Sequence, residues 1–167
     1  MYRSWHIYIP VRPKAVQSVR GAHGHFYVDP KVRKWKASIT PYIDKACEGK
    51  PPSKMPIRVL YMRYVYKLPQ SAPKHLVEFV RAGGRVPYLT SDLTDNISKG
   101  LIDVCKGRVF EDDSQIWDIC NSTKQYGIDD HIELGFETTP DVTLVNGRTG
   151  DSLEYPDKVL YDSETLI

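Results

Sequence analysis

The chain has 167 residues, with 23 lysines and arginines against 21 aspartates and glutamates, so its formal net charge at pH 7 is only +2. This length suits one domain with a sizeable core. Its three cysteines (Cys47, Cys105 and Cys120) form no zinc spacing or disulfide framework, which predicts a reducing, cytoplasmic setting. No long apolar run marks a signal peptide or membrane span. The glycine loop of nucleotide-binding proteins and the zinc-deaminase motif are also absent from the sequence.

The charges are divided unevenly along the chain. Residues 1–91 hold 17 Lys and Arg against 4 Asp and Glu, a balance of +13, whereas residues 92–167 hold 6 against 17, a balance of −11. Such asymmetry favours a polyanionic partner for the basic part. The alternative is that the two parts interleave in the fold and neutralise each other.

The first elements are a strand, a loop and a helix. Trp5 to Ile9 alternates in polarity and predicts a strand, and the glycine-broken residues 10–28 predict a long basic loop. Asp29-Pro30 predicts the start of a helix that runs to about Glu48. Its predicted buried stripe consists of Val32, Trp35, Ile39, Tyr42, Ile43 and Cys47. Cations crowd its first turns, where they oppose the helix dipole, which indicates either phosphate contacts or a solvated face.

The strongest strand signal is Ile57 to Lys67. Strict alternation predicts one face with Ile57, Val59, Tyr61, Arg63, Val65 and Lys67, and a second face with Arg58, Leu60, Met62, Tyr64 and Tyr66. A short helix over residues 74–81 and a basic loop over 82–85 follow. Farther on, Gln115 to Tyr126 and His131 to Thr138 predict two more strands.

The stretch from Thr90 to Ile116 concentrates carboxylates. Its six acids are Asp92, Asp95, Asp103, Glu111, Asp112 and Asp113. An apolar stripe formed by Ile97, Leu101, Val104 and Cys105 predicts a helix through its middle, with Thr94 or Asp95 as the N-cap. Asp95, Lys99 and Asp103 step by four residues and share another face of that helix. The cluster is either a solvated acidic face or a hard-cation site beside a lysine that can hold a phosphate.

The order of these residues resembles the RusA family of Holliday-junction resolvases. That family carries D-x-D-N-x-x-K-x-x-x-D followed by D-D-[SA]-Q, and this chain has D-N-x-x-K-x-x-x-D from Asp95 and D-D-S-Q from Asp112. The N-terminal segments R-P-K at 12–14 and Y-V-D-P-K-V-R-K-W-K at 27–36 also look like the family. The resemblance covers roughly residues 5 to 138.

This resemblance implies a homodimeric, Mg²⁺-dependent endonuclease, with Mn²⁺ as a substitute ion, that cuts four-way DNA junctions in a bacterial or phage setting. It implies Asp92, Asp95, Asp112 and Asp113 as metal ligands, and Lys99 as the group that neutralises charge on the phosphate. Asn96 and Asp103 would support them, Asp103 by orienting Lys99. The predicted DNA-binding residues are Arg12, Lys14, Arg20, Lys31, Arg33, Lys34, Lys36 and Arg85.

One spacing departs from the family pattern. Two residues, Leu93 and Thr94, separate Asp92 from Asp95, where the family has one. Keeping Asp95 as the second aspartate preserves the spacings to Lys99 and Asp103, and it requires a bulge to bring Asp92 to the site. The departure also supports an alternative function, that of a catalytically inactive protein that binds branched DNA.

The expected architecture is a single α+β domain, with a mixed sheet of about four main strands and two principal helices. Residues 1–139 would form the RusA-like domain, and residues 140–167 an acidic C-terminal extension that is a hairpin or is loosely ordered. The Asn146-Gly147 pair in this extension is typical of a hairpin turn.

Overall fold

The computed structural model describes residues 2–16, 20–22, 25–27, 29–90, 93 and 97–142. Within these ranges it has the strands and helices of one α+β domain. The strands are β1 (Ser4–Ile9), β2 (Arg20–Ala22), β3 (His25–Tyr27), β4 (Ile57–Lys67), β5 (Ile116–Ile119), β6 (Ser122–Gly127) and β7 (His131–Thr138). The helices are α1 (Pro30–Cys47), α2 (Lys74–Arg81) and α3 (Ser98–Cys105).

The main sheet is mixed and is built around β4. Strands β1, β7 and β4 lie side by side and antiparallel, and β5 and β6 both pair in parallel with the far edge of β4. The class predicted from the sequence is confirmed, with five strands in this sheet instead of four and three described helices instead of two. The predicted single strand over 115–126 is two strands, β5 and β6, separated by Cys120 and Asn121.

The predicted faces of β4 are wrong beyond its third residue. The pairing of β4 with β7 shifts register between Val59 and Tyr61, which is a β-bulge. One extra residue exchanges the two faces, because side chains alternate with a period of two. Ile57 and Val59 therefore point into the core together with Met62, Tyr64 and Tyr66. Arg63 lies instead on the open face of the sheet, which we define as the face opposite this core.

Helix α1 covers the core face. Its carboxylate cap is Asp29, whose Oδ1 accepts a hydrogen bond from the backbone N–H of Lys31 at 2.8 Å. Ile39 and Ile43 are fully buried, and burying each side chain contributes about 1.5–3 kcal/mol. Tyr42 is 37 % exposed, so it lies outside the stripe to which the sequence assigned it.

Helix α3 packs against α1 through its apolar stripe. Leu101, Val104 and Cys105 are buried as predicted, together with Ile97 before the helix. Gly100 allows Val16, in the segment after β1, to lie close to the backbone of α3, since a Cβ on this glycine would lie only 2.6 Å from Val16 Cγ2. The proposed caps of this helix, residues 94 and 95, lie outside the described residues.

Two further differences concern segments that the sequence assigned to loops or tails. The predicted loop over 10–28 contains a two-stranded antiparallel sheet, with Arg20 paired to Tyr27 and Ala22 to His25. Most of the predicted extension, from residue 143 onward, lies outside the described residues, and so does its expected hairpin. Among the helices that the structure describes, not one has the length and apolarity needed to cross a bilayer.

Candidate active site

A cavity of about 340 Å³ opens between α3 and the turn that precedes β5. Its lining consists of Lys99, Ile102, Asp103, Asp113 and Ile116. Helix α3 places its three residues on one face because they are spaced i, i+3 and i+4. The structure therefore brings together three of the site residues predicted from the sequence, Lys99, Asp103 and Asp113.

The acidic pair is held by a short 3₁₀ helix over Asp113–Gln115. Asp112 is its N-cap and accepts a hydrogen bond from the backbone N–H of Ser114 at 3.0 Å. The side-chain oxygen of Gln115 accepts in return from the backbone N–H of Asp112 at 2.7 Å. This reciprocal capping box fixes the backbone that carries both aspartates.

Gln115 also anchors the turn to the rest of the domain. Its side chain is buried, and its Nε2 donates to the carbonyl oxygens of Ser53, at 2.9 Å, and Met55, at 2.8 Å. The backbone N–H of Glu111 donates to the same Ser53 carbonyl at 3.1 Å. The position of Asp113 is thus set by segments that lie far apart in the sequence.

Lys106 lies against both aspartates of the turn. Its Nζ forms ion pairs with Asp112 and, at 3.3 Å, with Asp113. The chain reverses direction at Gly107, whose φ of 75° is in the left-handed region that favours glycine. Hydrogen bonds from Lys106 and from the Ser114 backbone hold the pKa of Asp112 well below its usual range. The same contact raises the pKa of Lys106, through Asp112 first and Asp113 second.

Asp103 has a different partner from the predicted one. Its Oδ2 accepts a hydrogen bond from Lys36 of α1 at 2.9 Å. This ion pair joins the basic helix to the wall of the cavity, since Asp103 lines the cavity. Lys99 forms no ion pair with any carboxylate of the described residues, so its exposed ammonium group faces the cavity without a fixed partner there.

Three of the predicted site residues, Asp92, Asp95 and Asn96, lie outside the described residues. Within the described ranges no group of three or more His, Cys, Asp or Glu residues is arranged to hold a metal ion. Asp112 and Asp113 offer carboxylate oxygens on a rigid turn, which is the donor chemistry that Mg²⁺ and Mn²⁺ prefer. The described residues thus fit part of such a donor set.

The described side chains of the predicted DNA-binding residues line two separate cavities or lie in neither. Lys14, Lys31 and Lys34 line a second cavity, beside α1, while Arg12 at its rim pairs with Asp130 at 2.9 Å. Arg33 is exposed on the same helix. Arg85 lines a small cavity together with Arg63 and Glu133, on the open face of the sheet. Arg20 belongs to β2, and its side chain lies outside the described residues.

Sequence reasoning missed Lys106 and Gln115. The spacing of Gln115 three residues after Asp112 is the sequence signature of a capping box, so this role had a readable signal. The contacts of Lys106 had no signal in the sequence, because they depend on the turn at Gly107. The apolar walls of the cavity, Ile102 and Ile116, were likewise recognisable only after folding.

A lysine and two aspartates line one open cavity and lysines line a second cavity beside α1, a chemistry that suits a protein acting on phosphate-containing polymers. The family described as Endodeoxyribonuclease RusA matches residues 9–135, about three quarters of the chain. The chain therefore belongs to the RusA family of endodeoxyribonucleases, which resolve Holliday junctions and generally depend on a divalent metal ion. This confirms the family that the residue order indicated. A search of curated proteins found no match.

Proposed function

We propose that this chain is a Mg²⁺-dependent, structure-selective endodeoxyribonuclease that hydrolyses phosphodiester bonds in four-way DNA junctions. The observation that carries the proposal is the convergence of Lys99, Asp103 and Asp113 around one cavity in a member of the RusA family. Mn²⁺ has the same preference for oxygen ligands and is the expected substitute ion.

The proposed metal ligands are Asp113 and Asp112 from the turn, with Asp92 and Asp95 from the segment before α3. A bound divalent ion supplies an activated water and stabilises charge on the leaving oxygen. Asn96 is proposed to position a ligand or the backbone next to this set. The described part of the set supports the proposal because the capping box fixes the backbone that carries Asp112 and Asp113.

Two lysines have separate proposed roles. Lys99 donates to the phosphate oxygens of the strand that is cut, where its positive charge offsets the negative charge that develops. Lys106 keeps Asp112 ionised and lowers the repulsion between the two neighbouring carboxylates of the turn. In this arrangement the turn stays negatively charged and ordered before any cation binds.

The assembly proposed from the family resemblance is a homodimer. A four-way junction has two strands to be cut, and two copies of the chain would present one cavity to each. Light scattering of the purified chain, with and without a junction, measures its mass directly and tests this part of the proposal.

A second candidate is a catalytically inactive protein that binds branched DNA. The two-residue separation of Asp92 and Asp95 favours it, since the family spacing has a single residue between its aspartates. In this case the basic surface beside α1 would still bind the junction, and the cavity would no longer hold the ion required for cutting.

Incubation of the chain with a labelled four-way junction separates the two candidates. The nuclease predicts paired nicks near the branch point with Mg²⁺ and none with EDTA, and little cutting of a linear duplex of the same sequence. The inactive protein predicts a stable complex with the junction and no nicks at any Mg²⁺ or Mn²⁺ concentration.

A further inference from the structure

The cavity beside α1 differs in chemistry from the candidate active site. It measures about 500 Å³, within the range of small-molecule sites, and lies between α1 and the segment that follows β1. We call it the α1 cleft. Its lining consists of Val11, Arg12, Pro13, Lys14, Lys31, Lys34, Trp35 and Ser38. No aspartate or glutamate is among these residues, whereas the candidate active site contains two aspartates.

The cations of the α1 cleft are not neutralised by the described part of the fold. No carboxylate of a described residue lies within 4.0 Å of the ammonium group of Lys14, Lys31 or Lys34. The guanidinium group of Arg12 has a partner in Asp130, but its side chain remains 56 % exposed. A cluster of unpaired cations creates a positive potential that attracts anions. Phosphate groups are the anions that the proposed DNA substrate supplies.

The floor of the α1 cleft is apolar. Val11, Pro13 and the largely buried Trp35 supply this apolar surface, to which the aliphatic stems of the lysines add. The ring of Trp35 is fixed because its Nε1 donates to the carbonyl oxygen of Arg12 at 3.0 Å. Phosphates alone gain nothing from such a floor. A ligand with a flat apolar face as well as phosphates gains from both parts, and an unstacked nucleotide is such a ligand.

The α1 cleft is connected to the candidate active site through the contact between α1 and α3. Trp35 reaches toward Gly100, with its Cζ3 3.5 Å from the place of a Cβ on that glycine, and Gly100 directly follows Lys99. Lys36, on the same helix, bonds Asp103 of the cavity wall. The α1 cleft and the candidate active site thus lie on two helices that pack against each other.

We propose that the α1 cleft binds one unpaired nucleotide of the DNA substrate, with the base on the apolar floor and the flanking phosphates on Lys14, Lys31 and Lys34. This inference rests on the proposed function, because it takes DNA as the substrate. Bases inside a duplex are stacked and cannot enter a cleft, so a nucleotide must be unpaired and unstacked from its neighbours before it binds there.

The test measures binding of two short oligonucleotides to the intact chain in EDTA by fluorescence anisotropy. One is an oligothymidylate, and the other has the same number of phosphates but abasic sugars. The base-binding cleft predicts that the oligothymidylate binds at least about fivefold more tightly, since removing the apolar face of one base from water has this magnitude or more. Equal affinities would overturn the proposal, because phosphate contacts alone would then explain the binding.

A matched pair of variants locates the effect. Ser38→Gln places a longer polar side chain in the cleft without changing its charge or adding a ring on which a base could stack, and it should abolish the difference between the two oligonucleotides. Ala37→Gln adds the same side chain at the neighbouring exposed position of α1, which does not line the cleft, and should keep the difference. A difference that survives in Ser38→Gln would place the base elsewhere. Thermal melts of both variants check that they are folded, and the comparison on the intact chain needs neither of them.

The outcomes distinguish this inference from the proposed function. Junction cutting by the same preparation in Mg²⁺ is measured in parallel. If the chain cuts the junction but shows no preference for bases over abasic sugars, base binding in the α1 cleft is refuted and the nuclease proposal stands. If the chain prefers bases but does not cut, the nuclease proposal is refuted and base binding in the α1 cleft stands.

Discussion

On the open face of the sheet two arginines, Arg58 and Arg63, lie against carboxylates, whereas the lysines of the α1 cleft have no carboxylate partner among the described residues. Arg58 contacts Asp118 at 2.8 Å and Glu137 at 3.1 Å. Arg63 contacts Glu133 at 2.9 Å. Both arginines come from the basic part of the chain and their partners from the acidic part. Within the described residues, the two parts thus neutralise each other at these arginines and leave the lysines beside α1 without a carboxylate partner.

This difference shows why a count of charges along the sequence does not locate a binding surface. A surface cation contributes to phosphate binding only if it is not already paired, since a paired one must first give up its carboxylate. The excess of 17 basic over 4 acidic side chains in residues 1–91 includes cations of both kinds. Only the fold separates the paired from the unpaired ones.

Among the cations that have no carboxylate partner in the described residues, Lys99 of the candidate active site has the largest expected effect on cutting. Lys99→Ala should lower the rate of junction cutting by at least about 100-fold, as the loss of a group that stabilises transition-state charge commonly does. Junction affinity should change by only a few fold. Lys74→Ala is the control, because Lys74 is an exposed lysine on α2 that does not line the cavity, and the variant should cut normally. A Lys99→Ala variant that cuts at the normal rate would remove Lys99 from the site.

A smaller effect is expected on the salt dependence of DNA affinity, and it compares the α1 cleft directly with the open face of the sheet. Lys34→Gln and Arg63→Gln each remove one positive charge, the first from the α1 cleft and the second from the open face. Loss of a phosphate contact should make the dependence of log affinity on log salt less steep by about 0.9 on duplex DNA for Lys34→Gln. Arg63→Gln should leave this slope unchanged, because Arg63 is already paired with Glu133. In the variant, Glu133 still has His131 beside it at 3.4 Å. Equal slopes for the two variants would contradict the distinction between the faces.

The smallest expected effect concerns Lys106, a paired cation at the candidate active site. Lys106 holds the pKa of Asp112 low, so the Asp112 carboxylate stays ionised and contributes to stability above its unfolded-state pKa. That contribution is lost as the pH falls through the folded-state pKa. Lys106→Met should raise the pKa of Asp112 and move the acidic limb of the pH–rate profile to higher pH. An unmoved acidic limb would mean that Asp112 ionisation does not limit cutting.

Sequence patterns predicted the elements whose signals are local. The bounds of β4 and α2 agree with the structure because a long alternating run defines the strand, and Pro73 and Gly83 delimit the helix. The four-residue step from Lys99 to Asp103 placed both on the cavity side of α3. The match of D-D-S-Q to the family brought Asp113 to the same site.

What the sequence could not provide depends on contacts between distant segments. The faces of β4 depend on a single extra residue at a bulge, which leaves no mark in an alternating pattern. The ion pairs of Arg58 and Arg63 form only because β5 and β7 lie on opposite sides of β4. The pairing of Lys36 with Asp103 likewise requires α1 to pack on α3, so the predicted supporting role of Asp103 toward Lys99 stays a prediction.

The central claim, that the acidic cavity on α3 cuts DNA, is tested most directly by a pair of variants in one loop. Asp113 lines the cavity, whereas Glu111, two residues before it, is exposed, does not line it and lies 3.8 Å from Lys54. On a four-way junction with saturating Mg²⁺, Asp113→Asn should lose at least about 100-fold in cutting rate and keep or improve its junction affinity, because it removes a negative charge near the phosphates. Glu111→Gln should cut at the rate of the unchanged chain. Full activity of Asp113→Asn, or equal losses in both variants, would contradict this account.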